Sequence, residues 1–244
     1  MKFHNQTIIL TGGTSGIGLA LLRALRAQGN RLVVVARQPE RLRETAALFP
    51  DVVFIQADLA VPAEVAALAA QLRREYPAAS VLINNAAVQY NYRLGAEARG
   101  EAYIADEIQI NFTAAVQLIH ALLPGLLAQP AAAIINMTSG LGLAPKQSAP
   151  VYCATKAGLQ SFTKALRYQL EGSPVQVVDV VLPLVDTPMT AGRGQNKLAP
   201  EAVAAAVIGG VEGGATVLNI GQVKILRLVQ RLLPGLADRV LKNS

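Results

Sequence analysis

A single cysteine, two histidines, no tryptophan and an aromatic content of 5% deprive this 244-residue chain of side chains that several kinds of chemistry require. One thiol, Cys153, cannot build an intrachain disulfide framework, and its isolation fits a reducing compartment. His4 stands near the amino terminus and His120 in an apolar stretch, so no cluster has metal-ligand spacing and no metal is expected. The G-x-S-x-G turn of a serine hydrolase is also missing. With few rings to stack on bases, a single-stranded nucleic-acid surface is disfavoured.

Charge is scarce as well. Asp, Glu, Lys and Arg make up 16% of the chain and hydrophobic residues 52%, enough to bury a large core and too apolar for disorder. The net charge of +6 is uneven, because residues 224–244 hold five basic residues and one acid and so account for +4 of it. The remainder gives no broad phosphate-tracking surface, and no nucleic-acid partner is expected. The longest stretch without these four residue types, 108–145, is interrupted by Asn111, Gln117, His120, Pro124, Pro130 and Asn136, so no membrane-spanning helix is predicted from it. The first six residues are too few and too polar for a secretory signal, which leaves a cytoplasmic location as the expectation.

What the chain does contain is regular alternation. Runs rich in Val and Ile recur at 6–11, 31–36, 52–56, 80–84, 132–137, 175–181 and 216–220. Helical patterns separate them, at 16–28, 39–48, 62–75, 101–128, 150–171, 200–211 and 223–233. Several runs are almost continuously apolar, as parallel strands covered on both faces are. The alternation predicts one α/β domain over 1–244 with a doubly wound, mostly parallel sheet. Ligands of such sheets bind beyond the carboxyl ends of the strands, which makes segments 87–101 and 186–199 candidate substrate walls.

The first strand runs into Thr11-Gly12-Gly13-Thr14-Ser15-Gly16-Ile17-Gly18 and then a helix. Its glycine spacing differs from G-x-G-x-x-G, but the strand–turn–helix context suits a dinucleotide pyrophosphate: glycines admit close approach, and the helix amino terminus offers free N–H groups. Thr14 and Ser15 add hydroxyl donors. Arg37 ends the second strand, where a carboxylate would bind the ribose of NAD, and its guanidinium fork instead favours the 2′-phosphate of NADP. Asp58 and Leu59 follow the third strand, where the aspartate either meets the adenine or caps the next turn. Asn84-Asn85-Ala86-Ala87 closes the fourth strand with short side chains and amides able to tie loops together. Asn111 sits in an apolar helix and needs partners there, through a kink or an ordered water.

Ser139 ends a strand, and thirteen residues later comes Tyr152-Cys153-Ala154-Thr155-Lys156. On a helix Tyr152 and Lys156 share a face, so an ammonium near the phenol is expected to lower the tyrosine pKa. Such a pair suits proton transfer coupled to hydride transfer.

Taken in order, the glycine turn, Asp58-Leu59, Asn84 to Ala87, Asn111, Ser139, Tyr152, Lys156 and Thr187 resemble the short-chain dehydrogenase/reductase family over essentially the whole chain. The resemblance implies a three-layer Rossmann-like fold with seven parallel strands and an NAD(P)-dependent oxidoreductase acting on a small carbonyl or alcohol. It implies that Tyr152 is the acid/base, Ser139 orients the carbonyl, Lys156 binds the nicotinamide ribose and assists the tyrosine, and Asn111 supports a proton-relay water. Thr187 would hold the nicotinamide carboxamide, and the helices at 101–128 and 150–171 would build the family's usual homodimer or homotetramer.

Ala87 replaces a glycine usual in the family, and Leu182-Pro183 stands where Pro-Gly is usual, so Pro183 removes a backbone donor beside the expected nicotinamide. The segment 182–201 resembles the DltE-like oxidoreductase branch. A dinucleotide-binding redox sensor or partner protein with little catalysis is the alternative reading.

The basic tail, 223–244, places Lys224, Arg227 and Arg231 opposite Ile225, Leu228, Leu232 and Leu233 before Pro234-Gly235 breaks the helical run. Three roles stay open for residues 224–242: peripheral contact with an anionic membrane, closure of the active site, or packing against another subunit.

Overall fold

The computed structural model describes residues 1–242, so the last two positions of the basic tail lie outside the described residues. Seven parallel strands form one sheet in the order β3-β2-β1-β4-β5-β6-β7. They are β1 (Thr7–Thr11), β2 (Arg31–Ala36), β3 (Val53–Gln56), β4 (Val81–Asn84), β5 (Ala132–Ser139), β6 (Val175–Leu182) and β7 (Val217–Asn219). Each overlaps one of the apolar runs, because a parallel strand buried on both faces has no polar alternation to obscure it.

Alternate residues of each strand feed two separate cores. Ile8, Leu10, Val34 and Ile83 pack with α1 (Gly16–Ala27) and α7 (Pro200–Glu212) on one face. Ile9, Val33, Leu82 and Ile134 pack on the other with α3 (Pro62–Glu75), α5 (Ala114–Leu127) and α6 (Pro150–Gln169). Leu21, Leu22, Leu72 and Leu118 are wholly buried in these layers, each worth roughly 1.5–3 kcal/mol of apolar burial. α2 (Pro39–Leu48) follows β2 and buries only Leu42 and Thr45.

The chain winds outward to β3, then returns to the middle as β4 beside β1. This reversal opens a crevice beyond the carboxyl ends of β1 and β4, where the glycine turn lies.

Two helical segments differ from expectation. The single helix expected over 101–128 is α4 (Gly100–Ile108), a π-helical turn (Gln109–Thr113) and α5. Asn111 lies inside that turn, so its polar side chain is accommodated by one extra residue in the helix. The run Gly100–Leu127 is long and apolar enough to cross a bilayer by composition. Its stripe of Leu118, Ile119, Leu122 and Leu126 is instead buried in the second core.

The run of α8 (Val223–Leu232) breaks before Pro234 as expected, but a further helix follows. Pro234 occupies the first turn of α9 (Pro234–Leu241), where a missing N–H costs nothing.

Candidate active site

The glycine turn is built by exclusion of side chains. Gly12 and Gly16 have φ of +72° and +50°, in the left-handed region. A Cβ on Gly18 would lie 2.0 Å from the Gly12 carbonyl oxygen, and one on Gly16 would lie 2.9 Å from Cγ2 of Thr187. The turn is thus pressed against both the start of α1 and the loop after β6.

The end of β4 is stitched to this turn. Thr11 Oγ1 accepts hydrogen bonds from the N–H groups of Asn85 and Ala86, both at 3.0 Å. Asn85 Nδ2 donates to the carbonyls of Thr11 and Gly12 at 2.9 and 3.1 Å. Asn84, a candidate for cofactor binding at the end of the fourth strand, faces away from the cleft: it is buried, and its Nδ2 donates to Asn136 Oδ1 at 2.9 Å. Asn136 in turn donates to Thr163 Oγ1 on α6. Adjacent residues at a strand end point to opposite sides, so the loop-tying role belongs to Asn85 and Asn84 holds the sheet to α6.

Above this crevice lies a cleft of about 920 Å³. Gly12, Thr14, Ser15, Gly16, Ile17, Gly18, Arg37, Asp58, Leu59, Ala86, Ser139, Tyr152, Lys156 and Thr187 all line it, as do Ala87 and Pro183. Of the sequence-predicted residues, Asn84 and Asn111 do not. At one end the Arg37 guanidinium lies 3.8 Å from Asp58 Oδ2. Asp58 also closes its own turn, accepting from Ala60 N–H at 2.9 Å, which is the capping reading of this aspartate. Arg41, one turn into α2, faces the same end of the cleft.

At the other end, Ser139 is the last residue of β5 and its Oγ accepts from Leu141 N–H at 3.1 Å. Tyr152 and Lys156 project from α6, 8% and 3% exposed. Lys156 Nζ donates to the Met137 carbonyl at 2.9 Å and lies 5.7 Å from the Tyr152 ring centroid.

The electrostatics correct the expectation of an acidified phenol. Burial pushes Tyr152 up to about 12, with a hydrogen bond to Ser139 opposing the rise. Burial brings Lys156 down to about 8, opposed by the charge of Asp179. Desolvation of both groups outweighs the attraction that helical spacing alone suggested.

Two carboxylates that the sequence reading missed support this centre. Asp179, in mid-β6, accepts from Thr138 Oγ1 at 2.6 Å and has its pKa raised by burial. It is the one charged residue in a strand whose only other polar residue is Gln176, and that was the signal available in Val-Gln-Val-Val-Asp-Val-Val-Leu. Glu107 of α4 is fully buried, and its Oε1 accepts from the N–H of Tyr90 at 2.9 Å. Burial raises its pKa as well.

Asn111 Oδ1 accepts from Val88 N–H and its Nδ2 donates to the Val88 carbonyl, both at 2.8 Å. A weaker bond reaches Thr155 Oγ1 at 3.3 Å. Thr187 heads the short 3-10 turn Pro188–Thr190, with its N–H donating to Thr190 Oγ1 at 3.2 Å. Of the three roles open to the tail, the structure places α8 and α9 as a wall of the cleft, through Leu226, Val229, Leu236 and Val240.

Residues 6–198 match the family model for short chain dehydrogenase. The uncharacterised oxidoreductase DltE of Bacillus subtilis strain 168 is 41% identical over 190 residues, covering 77% of this chain and 74% of that one. A short chain dehydrogenase of Burkholderia cenocepacia J2315, solved in complex with NADP, superposes with a TM-score of 0.88 at 25% identity over 100% of both chains. One from Sphingobium yanoikuyae, in complex with NADPH, gives 0.83 at 28% identity over 95% and 94%. The sheet order, the glycine turn and these likenesses agree: the chain belongs to the short-chain dehydrogenase/reductase family and is an NAD(P)-dependent oxidoreductase.

Proposed function

We propose that this enzyme interconverts a carbonyl and an alcohol, with NADP preferred over NAD and Tyr152 as the acid/base. The observation that carries the reading is the convergence of Ser139, Tyr152 and Lys156 on the same cleft as the glycine turn. The cradle suits a dinucleotide, since Gly12, Gly16 and Gly18 line the cleft where α1 begins, and its free N–H groups and dipole favour a pyrophosphate. Hydride transfer is the chemistry that the nicotinamide supplies when bound.

The protein's own part is the proton. A phenol whose pKa is about 12 is protonated at neutral pH, so Tyr152 is ready to donate to a carbonyl oxygen as that oxygen gains charge. Ser139, beside it, hydrogen-bonds the same oxygen and fixes its direction. The Lys156 ammonium stabilises the phenolate that remains, and the Met137 carbonyl holds the ammonium in place. Two guanidiniums, Arg37 and Arg41, face the far end of the cleft and support NADP over NAD. The NADP and NADPH complexes of two structural neighbours support the same preference.

Replacing Tyr152 with Phe tests the reading. NADPH binding, followed by its fluorescence, is expected to persist, while NADPH-dependent carbonyl reduction falls about a thousandfold. Retained turnover would remove Tyr152 from the acid/base role. NADPH binding by the native protein without turnover of any carbonyl in a broad panel would favour the redox-sensing alternative.

A further inference from the structure

Two cations line the substrate end of the cleft without an acidic partner among the described residues. Lys146, between the 3-10 turn after β5 and α6, is only 7% exposed, yet no carboxylate there pairs with it. Arg193, in the loop after β6, has a buried Nη1 with no hydrogen-bond partner among the described residues. Lys197 in the same loop makes the contrast: its Nζ donates to the Thr190 carbonyl at 2.6 Å and reaches Asp186 Oδ1 at 3.5 Å.

The two charges are close enough to act on each other and on the reacting phenol. Burial lowers the Lys146 pKa and the charge of Arg193 lowers it further. Arg193 also favours the ionised form of Tyr152. Burying a cationic group without a counter-ion is costly, and lining one cleft with two such groups more so, unless a bound anion completes the site. The same cleft has an apolar lining from α8 and α9, formed by Leu226, Val229, Leu236 and Val240.

We propose that Lys146 and Arg193 form an anion subsite, which selects carbonyl substrates carrying a carboxylate or phosphate attached to an apolar body. The guanidinium fork suits the two or three oxygens of such a group, and the ammonium adds a point charge. The apolar body packs under α8 and α9. The subsite rests on the oxidoreductase reading for its place in turnover, though not for its capacity to bind.

Calorimetric titration of the NADP⁺-loaded enzyme with octanoate, octyl phosphate and octanol separates the two. The better anion is expected to bind at least about tenfold more tightly than octanol, since charged hydrogen bonds are lost with the alcohol. Whichever anion binds tighter identifies the head group. In Lys146→Met and Arg193→Gln the preference shrinks, and in the double variant it falls to within about twofold of none. NADPH affinity is unchanged throughout.

Equal binding of octanol and the anions by the native enzyme overturns the subsite, as does a preference that survives in the double variant. Parallel loss of NADPH affinity overturns it too, by assigning the cations to the cofactor. Because binding needs no turnover, an enzyme inert toward carbonyls that still loses its anion preference in the variants supports the subsite while refuting the redox reading.

Discussion

Asn111 holds the backbone of Val88 by both of its polar groups, accepting from the N–H and donating to the carbonyl at 2.8 Å each. This is the pairing a neighbouring strand would supply, delivered by one amide from a π-helical turn. Val88 lines the cleft directly after the loop that binds the glycine turn. Asn111→Leu is therefore expected to leave two backbone groups unpaired and to cost about 2–4 kcal/mol. Urea unfolding reads the loss, and an unchanged midpoint would show that the clamp is dispensable.

The contact between the glycine turn and the loop after β6 carries a second prediction. In Gly16→Ala the new methyl group meets Cγ2 of Thr187 at 2.9 Å, on a backbone with φ of +50°. Left-handed backbone costs an alanine roughly 1–2 kcal/mol, and the clash adds to it, so NADPH affinity should drop about tenfold or more. Adding Thr187→Ser removes the obstructing methyl and should restore part of the affinity. If Gly16→Ala costs the same affinity with and without the Thr187→Ser change, the contact does not decide the geometry.

The proposed preference for NADP rests on two guanidiniums that line the cleft, Arg37 and Arg41. Arg37→Ala and Arg41→Ala should each weaken NADPH by about tenfold, the worth of a charged hydrogen bond, and leave NADH nearly unaffected. Raising the salt concentration should weaken NADPH more than NADH in the native enzyme. Equal losses for both nucleotides would assign the arginines to the fold instead of the 2′-phosphate.

Lys156 makes the protein's stability depend on pH. Its pKa of about 8 lies below the ordinary 10.5, so the fold disfavours the charged form. That penalty is fully present below pH 8 and disappears as the pH rises from 8 toward 10.5, on the order of 3 kcal/mol. Lys156→Met is expected to raise the thermal midpoint at pH 7 while abolishing most turnover, and its advantage should narrow by pH 10. An advantage that stays constant across this range would place the cause outside the ammonium charge.

Much of the fold is legible because the signals are redundant. Seven apolar runs match seven strands, since strands covered on both faces need uninterrupted hydrophobicity. Pro234 ends the helical run of α8 as expected, and what local pattern does not show is that the same residue opens another helix. The π-turn at Asn111 is hidden for a related reason: an extra residue in a helix leaves no mark in the spacing, only a polar side chain in need of partners.

The sequence by itself determined the family, the α/β alternation and the residues Ser139, Tyr152 and Lys156 that meet in the cleft, because each rests on residue type at short, fixed spacing. Only the tertiary structure decided which neighbouring amide lines the cleft and ties the glycine turn, Asn85 in place of Asn84, since the end of a strand sets the direction of each side chain. It also reversed the sign expected for Tyr152. Helical spacing brings Lys156 near the phenol, but burial of both groups is a property of the whole fold, and desolvation pushes Tyr152 up and Lys156 down.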